Sequence, residues 1–201
     1  MPPDVVASAP MDTRPLGAIL TGGASSRMGR DKADVLVAGR PMLSRVASAL
    51  ERVSDRVVLL GPDREGWETW PDSVHAQGPL AGIATALTRT EYDRVLVVAV
   101  DHPFVDPNTL RRLDDLVSDL PVVPVDETGA RQVTCAVYPT SIAGAAVDEA
   151  VAGGSIQTLL DRVSFRAVPP DEWRGWGEDG RSWFSADSDE AVAEAESRFA
   201  S

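Results

Sequence analysis

Lysine occurs once in this chain of 201 residues, beside eighteen arginines, and it sits in the glycine-rich run Leu20-Thr21-Gly22-Gly23-Ala24-Ser25-Ser26-Arg27-Met28-Gly29-Arg30-Asp31-Lys32. A chain that uses arginine for every other basic side chain has a lone ammonium where a compact point charge is wanted, and phosphate is the usual reason. Gly22 and Gly23 let the backbone turn tightly and approach a ligand, with amides pointing outward as a nest for anionic oxygens. Arg27 can grip a phosphate through two N–H groups while Lys32 sets a mobile charge beside it, which suits a nucleotide triphosphate. Taken alone, these four residues also fit an ordinary solvated loop between a strand and a helix. The run lacks the Lys-Ser/Thr of a Walker loop and contains no G-x-G-x-x-G, so a P-loop hydrolase and a dinucleotide oxidoreductase both lose support.

Asp101 ends the apolar run Val95-Leu96-Val97-Val98-Ala99-Val100. A carboxylate at the carboxyl end of a central strand can reach above the sheet and hold Mg2+ bridging nucleotide phosphates, or it can cap the next turn. His102 reads as a spacer beside it, and His75 has no visible partner. Asp187, in Phe184-Ser185-Ala186-Asp187-Ser188, is a second candidate metal ligand, and either it or Ser188 can cap the helix that follows. Cys135, the single cysteine, reads as a small buried strand residue. No Ser-His-Asp or Cys-His arrangement is present, so direct in-line displacement at phosphorus fits better than covalent catalysis.

The elements that position these residues follow from periodicity. Strands are expected at 16–21, 56–61, 94–100, 121–125 and 133–138, with a further short strand before Asp187. Helical spacing recurs through Leu43, Val46, Ala47 and Leu50, through Leu80, Ile83, Ala84 and Leu87, and through Leu110, Leu113 and Leu116, with Pro41, Pro79 and Pro107 at or near the helix starts. Segment 140–163 is also helical, and a helix closes the chain. Alternating strands and helices predict a single three-layer α/β sandwich around a mostly parallel sheet. Ligands of such sheets sit at the carboxyl ends of the strands, where three loops converge: the Gly22-Gly23 run, Gly78-Pro79-Leu80-Ala81-Gly82 and Asp101-His102-Pro103-Phe104.

Residues 1–14 read as a flexible tail and 15–201 as one globular domain. No signal peptide, transit peptide or apolar run long enough to span a bilayer is seen, which predicts a cytoplasmic protein without a membrane partner. The net charge is −12: residues 1–100 carry 11 basic and 12 acidic side chains, residues 101–201 carry 8 and 19. That balance argues against nucleic acid, which demands a basic face, while an anionic small molecule remains compatible where arginine, lysine and a divalent cation gather locally.

The run from Leu20 to Lys32 resembles the L-A-G-G-x-S-x-R-M-G-x-D-K motif of the molybdenum cofactor guanylyltransferase family, with Thr21 for alanine, and G-P-L-A-G and D-H-P-F follow in the family's order. His102 stands where methionine is usual. The resemblance covers about Leu16 to the C-terminus and implies a Rossmann-like fold of the nucleotide-diphospho-sugar transferase type. It implies transfer of GMP from GTP to molybdopterin with Mg2+ and release of pyrophosphate, by a monomer in transient contact with other molybdenum cofactor proteins. Leu20, Thr21, Gly22, Gly23, Gly78, Pro79 and Leu80 would line the nucleotide, Arg27 and Lys32 would neutralise phosphate, and Asp101 with Asp187 would hold the metal. Leu60 replaces a usual asparagine, and Ser73 to Gln77 stand where the family's guanine-reading aspartate is expected before G-P-L-A-G. Gln132-Val133 replaces histidine-proline, and Gly153-Gly154-Ser155 lacks an arginine. A same-fold transferase using CTP or another acceptor is an alternative, and a nucleotide-binding paralogue without catalysis is a reading from another class.

Overall fold

The first strand, β1 (Leu16–Leu20), is buried along its whole length, and the computed structural model shows why: it runs between two other parallel strands with helices over both faces. The structure describes residues 14–22, 31–72, 76, 78–116 and 118–200. After β1 come a 3₁₀ turn (Lys32–Asp34), a hairpin of β2 (Leu36–Val37) and β3 (Arg40–Pro41), helix α1 (Met42–Leu50) and strands β4 (Arg56–Leu60) and β5 (Thr69–Trp70). Helix α2 (Pro79–Arg89), β6 (Arg94–Ala99), α3 (Pro107–Asp115), β7 (Val122–Pro124) and β8 (Cys135–Pro139) follow. The chain continues through α4 (Ala143–Val151), α5 (Ile156–Arg162), β9 (Arg166–Val168), α6 (Pro170–Arg174), a 3₁₀ turn (Arg181–Trp183) and α7 (Asp189–Phe199).

The main sheet has the order β5-β4-β1-β6-β8-β7-β9. β8 runs antiparallel to β6 and β7, and the remaining pairs are parallel. One face is covered by α1, α3 and α7 through Leu43, Leu110 and Phe199, the other by α2, α4 and α5 through Ile83, Ala146 and Leu159. The expected three-layer sandwich is therefore present. The register sets Leu20 level with Leu60 on one side and Ala99 on the other, so the segments after all three strands leave the sheet together.

Local chemistry sets the helix starts. Pro79 and Pro107 occupy first-turn positions, where a missing N–H costs nothing. Asp106 accepts from the Asn108 amide at 2.7 Å, and Ser188, not Asp187, caps α7 by accepting from Ala191. Ser155 and Thr158 form a reciprocal capping box on α5.

The short strand expected before Asp187 does not form. Residues 184–187 run as an irregular strap, held to the sheet by the Ala186 amide donating to the Asp101 carbonyl at 2.8 Å. The strap is anchored upstream by Glu178, which is buried and accepts from the hydroxyls of Thr109 (2.7 Å) and Ser182 (2.5 Å) and from the amides of Asp179 and Gly180. Such a carboxylate is matched entirely by donors. Glu178→Gln would turn an NH2 group toward those donors and is expected to lower unfolding free energy by about 1–3 kcal/mol in urea titrations.

Candidate functional site

Lys32 and Asp101, 69 residues apart, meet at the carboxyl ends of β1 and β6. Lys32 Nζ donates to Asp101 Oδ2 at 2.8 Å, and each side chain is only 20% exposed. Lys32 opens the first 3₁₀ turn, whose start is capped by Asp31 accepting from the Ala33 amide at 2.9 Å. Arg64, from the segment after β4, binds the carboxylates of Asp31 and Asp34 and holds that turn against the sheet. Asp101 is fixed from both sides, because the Val100 amide donates to the Leu20 carbonyl at 3.0 Å while Ala186 caps the Asp101 carbonyl.

Burial opposes ionisation of Asp101, but His102 in its protonated form at low pH, the Lys32 ammonium and the Ser185 hydroxyl outweigh it and hold the carboxyl below the usual carboxylate range. His102 is buried, with Nε2 3.1 Å from Thr134 Oγ1 and 3.9 Å from Asp101 Oδ1. Burial pushes the imidazole pKa down, against the pull of Asp101, so the ring is neutral near pH 7 and supports the Asp101 loop. The Cys135 thiol is buried and pushed well above its ordinary value, as an inert strand residue should be.

Around the ion pair lies a cavity of about 360 Å³, lined by Leu20, Thr21, Gly22, Pro79, Gln132, Thr134, Trp183 and Ser185 as well as Lys32, Asp101 and His102. A second cavity of about 600 Å³ shares Leu20, Gly22 and Pro79 with it and extends over Leu60, Gly61, Asp72, Gly78 and Gly82. Together they form a cleft with two lobes across the end of β1.

Of the residues singled out from sequence, Leu20, Thr21, Gly22, Lys32, Gly78, Pro79 and Asp101 line this cleft. Leu80 does not. As the second residue of α2 it turns into the core beneath and lines neither lobe. Asp187 is not among the lining residues either, and Ser185 fills that part of the wall. Gly23, Arg27 and His75 lie outside the described residues. The outward-pointing amides expected of the glycine run are not found at its start: the Thr21 and Gly22 amides both donate to the Leu60 carbonyl, at 3.0 and 3.3 Å, because β1 keeps pairing with β4 beyond its last ladder residue.

Two residues of the cleft, Gly61 and Asp72, were not legible from sequence. Gly61 has φ of +143°, and a Cβ there would lie 2.8 Å from the Gly22 nitrogen and 2.9 Å from Thr21 Oγ1, so glycine is needed for β1 and β4 to release their loops side by side. Asp72 faces the second lobe, where burial pushes its carboxyl above the ordinary value. Asp72 lies one residue before the Ser73–Gln77 stretch. Gln132 enters the first lobe held by the Asp126 carboxylate at 2.8 Å.

No group of three His, Cys, Asp or Glu side chains is gathered among the described residues. The first lobe instead offers the Asp101 carboxylate with the Ser185 and Thr134 hydroxyls. That hard oxygen set fits Mg2+, which is commonly held by one or two carboxylates together with substrate phosphates and water.

A parallel sheet with a cationic and a carboxylate group paired over the strand ends is the architecture of an α/β nucleotide-binding transferase domain. The sequence pattern of the MobA-like NTP transferase domain matches residues 17–166, and the chain belongs to that family. A probable molybdenum cofactor guanylyltransferase of Deinococcus radiodurans is 46% identical over 89 residues, covering 43% of this chain and 46% of that protein. The molybdenum cofactor guanylyltransferase of Rhizobium meliloti is 34% identical over 144 residues, 65% of this chain and 66% of that one. The chain thus spans about half to two thirds of the length of these curated relatives. The crystal structure of molybdopterin-guanine dinucleotide biosynthesis protein A from Archaeoglobus fulgidus superimposes with a TM-score of 0.77 at 25% identity, covering 90% of this chain and 97% of that one.

The sign of one pH effect follows from His102. Its folded pKa lies below the unfolded value of about 6.5, so its contribution is complete above that pH and is lost as pH falls toward the folded value. Stability measured by urea unfolding should decline below about pH 6.5, and His102→Met should reduce that slope.

Proposed function

We propose that the chain is an Mg2+-dependent nucleotidyltransferase that joins GMP from GTP to the terminal phosphate of molybdopterin and releases pyrophosphate. The observation that carries this reading is the two-lobed cleft, with the Lys32–Asp101 pair in one lobe and the carboxylate of Asp72 in the other. Guanine presents adjacent N–H donors on its Watson–Crick edge and a carboxylate accepts both, whereas cytosine offers one amino group beside an acceptor. Asp72 would therefore read the base, with Gly61, Gly78 and Gly82 leaving room for the nucleoside against the backbone.

In the first lobe, Lys32 would turn from Asp101 to the triphosphate, freeing Asp101 to hold the cation. The metal supplies charge neutralisation across the phosphates. Asp187, next to Ala186 and its bond to the Asp101 carbonyl, would assist from the strap, and Arg27 would join Lys32 on the phosphates. An acceptor phosphate oxygen attacks the α-phosphorus, the bond to the bridging oxygen breaks, and the pyrophosphate departs toward Lys32. A further cavity of about 460 Å³ shares Gln132, Trp183 and Ser185 with the first lobe and offers the acceptor a route to the same phosphorus. The names of the relatives from D. radiodurans, R. meliloti and A. fulgidus support guanine and molybdopterin as the substrates. Action in the cytoplasm as a monomer is part of this proposal; no described helix is long and apolar enough to cross a membrane.

Thermal shift tests the base. GTP with Mg2+ should stabilise the protein more than CTP or ATP, with about 2.7 kcal/mol available at a hundred times the dissociation constant. Asp72→Asn should erode the preference for GTP over CTP by at least about tenfold. A larger response to CTP would assign the chain to cytidylyl transfer instead. For catalysis, pyrophosphate release with molybdopterin should fall by orders of magnitude in Asp101→Asn and in Lys32→Ala, and Lys32→Arg should retain nucleotide binding but lose most turnover, since a planar fork replaces a point charge. GTP binding without pyrophosphate release by the wild type would leave a nucleotide-binding protein without this activity.

A further inference from the structure

A second concentration of positive charge lies away from the cleft, on the opposite side of the segment that follows Asp101. Arg45, Ser48 and Ala49 of α1 and Arg52 just beyond it recur at i, i+3, i+4 and i+7, which places them on one helical face. This face forms one wall of a groove of about 380 Å³, completed by Arg40 from β3, the segment 103–107, Arg181 and Phe199.

Arg40, Arg45, Arg52 and Arg181 line the groove with Asp106 as its lining carboxylate. Arg181 is neutralised by Asp179 at 2.8 and 2.7 Å. The Arg40 guanidinium donates to Ser48 Oγ at 3.1 Å, and the Arg52 guanidinium makes no hydrogen bond or ion pair among the described residues. Arg45 donates to the Pro103 carbonyl at 2.9 Å and lies over the Phe104 ring at 4.5 Å, with no carboxylate within ion-pair distance. Asp106 lines the groove while capping α3, and Glu196 accepts from the Ala38 amide at 2.6 Å, so each carries one negative charge beside the arginines. Burial and the charge of Arg40 push the Arg45 pKa down, and Glu196 offsets this only in part. In a chain of net charge −12, where many arginines pair with carboxylates, as in Arg14–Asp55 and Arg198–Glu194, three guanidinium groups without an ion pair among the described residues gather around one concavity.

We propose that this groove is a binding site for a phosphate-bearing small anion, a phosphomonoester or oligophosphate, held by Arg40, Arg45 and Arg52 around Ser48 with Phe104 and Phe199 as its apolar walls. Guanidinium forks match phosphate oxygens in pairs, the Ser48 hydroxyl adds a donor, and a concave volume of this size suits a small molecule better than a flat protein rim. The site is separate from the Lys32–Asp101 lobe, since the two cavities share no lining residue.

Calorimetric titration of the full chain with sodium tripolyphosphate, without magnesium, tests this. Lys32→Ala should keep one binding event, and adding Arg40→Ala and Arg52→Ala should weaken that event at least tenfold. Arg56→Ala with Arg89→Ala, which removes equal charge beside Trp70 at the far edge of the sheet, should change it less than twofold. The exposed positions of Arg40 and Arg52 leave the fold intact, which circular dichroism checks. Absence of tripolyphosphate binding in Lys32→Ala, or binding there that ignores Arg40 and Arg52, overturns the proposal. Binding of poly-glutamate through the same arginines without tripolyphosphate binding also overturns it and makes the groove a dock for an acidic protein.

Discussion

Two opposite charges held 2.8 Å apart above the sheet are the constraint on which the site depends. An ammonium or a carboxylate alone in so enclosed a position would be costly, and pairing them keeps both ionised. The pair can be separated without loss only by a ligand that offers anionic oxygens to one member and a cation to the other. A metal-bound polyphosphate has that composition. The ion pair thus leaves these two charges balanced within the cleft.

The sheet exists, for this purpose, to bring the ends of β1, β4 and β6 level. The Leu20, Leu60 and Ala99 register does so, and Gly61 makes it possible for the segments leaving β1 and β4 to touch. Arg64 then holds the turn bearing Lys32, while Glu178 and the Ala186 amide hold the strap that closes the cavity beside Ser185. Each of these contacts joins segments remote in the chain, so the site is a property of the tertiary fold even though its charged members lie in short motifs.

That distinction explains what could be read from sequence. The apolar runs of β1, β4 and β6 are long and buried on both faces, and they were visible as uninterrupted hydrophobic stretches. β5 and the β2–β3 hairpin have two-residue strands and β9 has three, too few for any periodicity to appear. Lys32 and Asp101 were legible because an unusual residue and a strand end marked them. Adjacent helical positions face different ways, so the motif touches the cleft through Gly78 and Pro79 while Leu80 turns into the core. Gly61 and Asp72 gave no signal, since their roles arise only when β4 and the segment after β5 are set beside β1 and α2.

Lys32 being the only lysine, protein labelled with 13Cε-lysine gives a single side-chain resonance, and that resonance reports the central claim directly. On saturation with GTP and Mg2+ the Lys32 signal should move as its ammonium leaves Asp101 for phosphate, and in Asp101→Asn it should already be displaced before nucleotide is added. A Lys32 signal that stays at its unliganded position while GTP and Mg2+ are bound would show that the ion pair survives, and the exchange of partners on which this account rests would be contradicted.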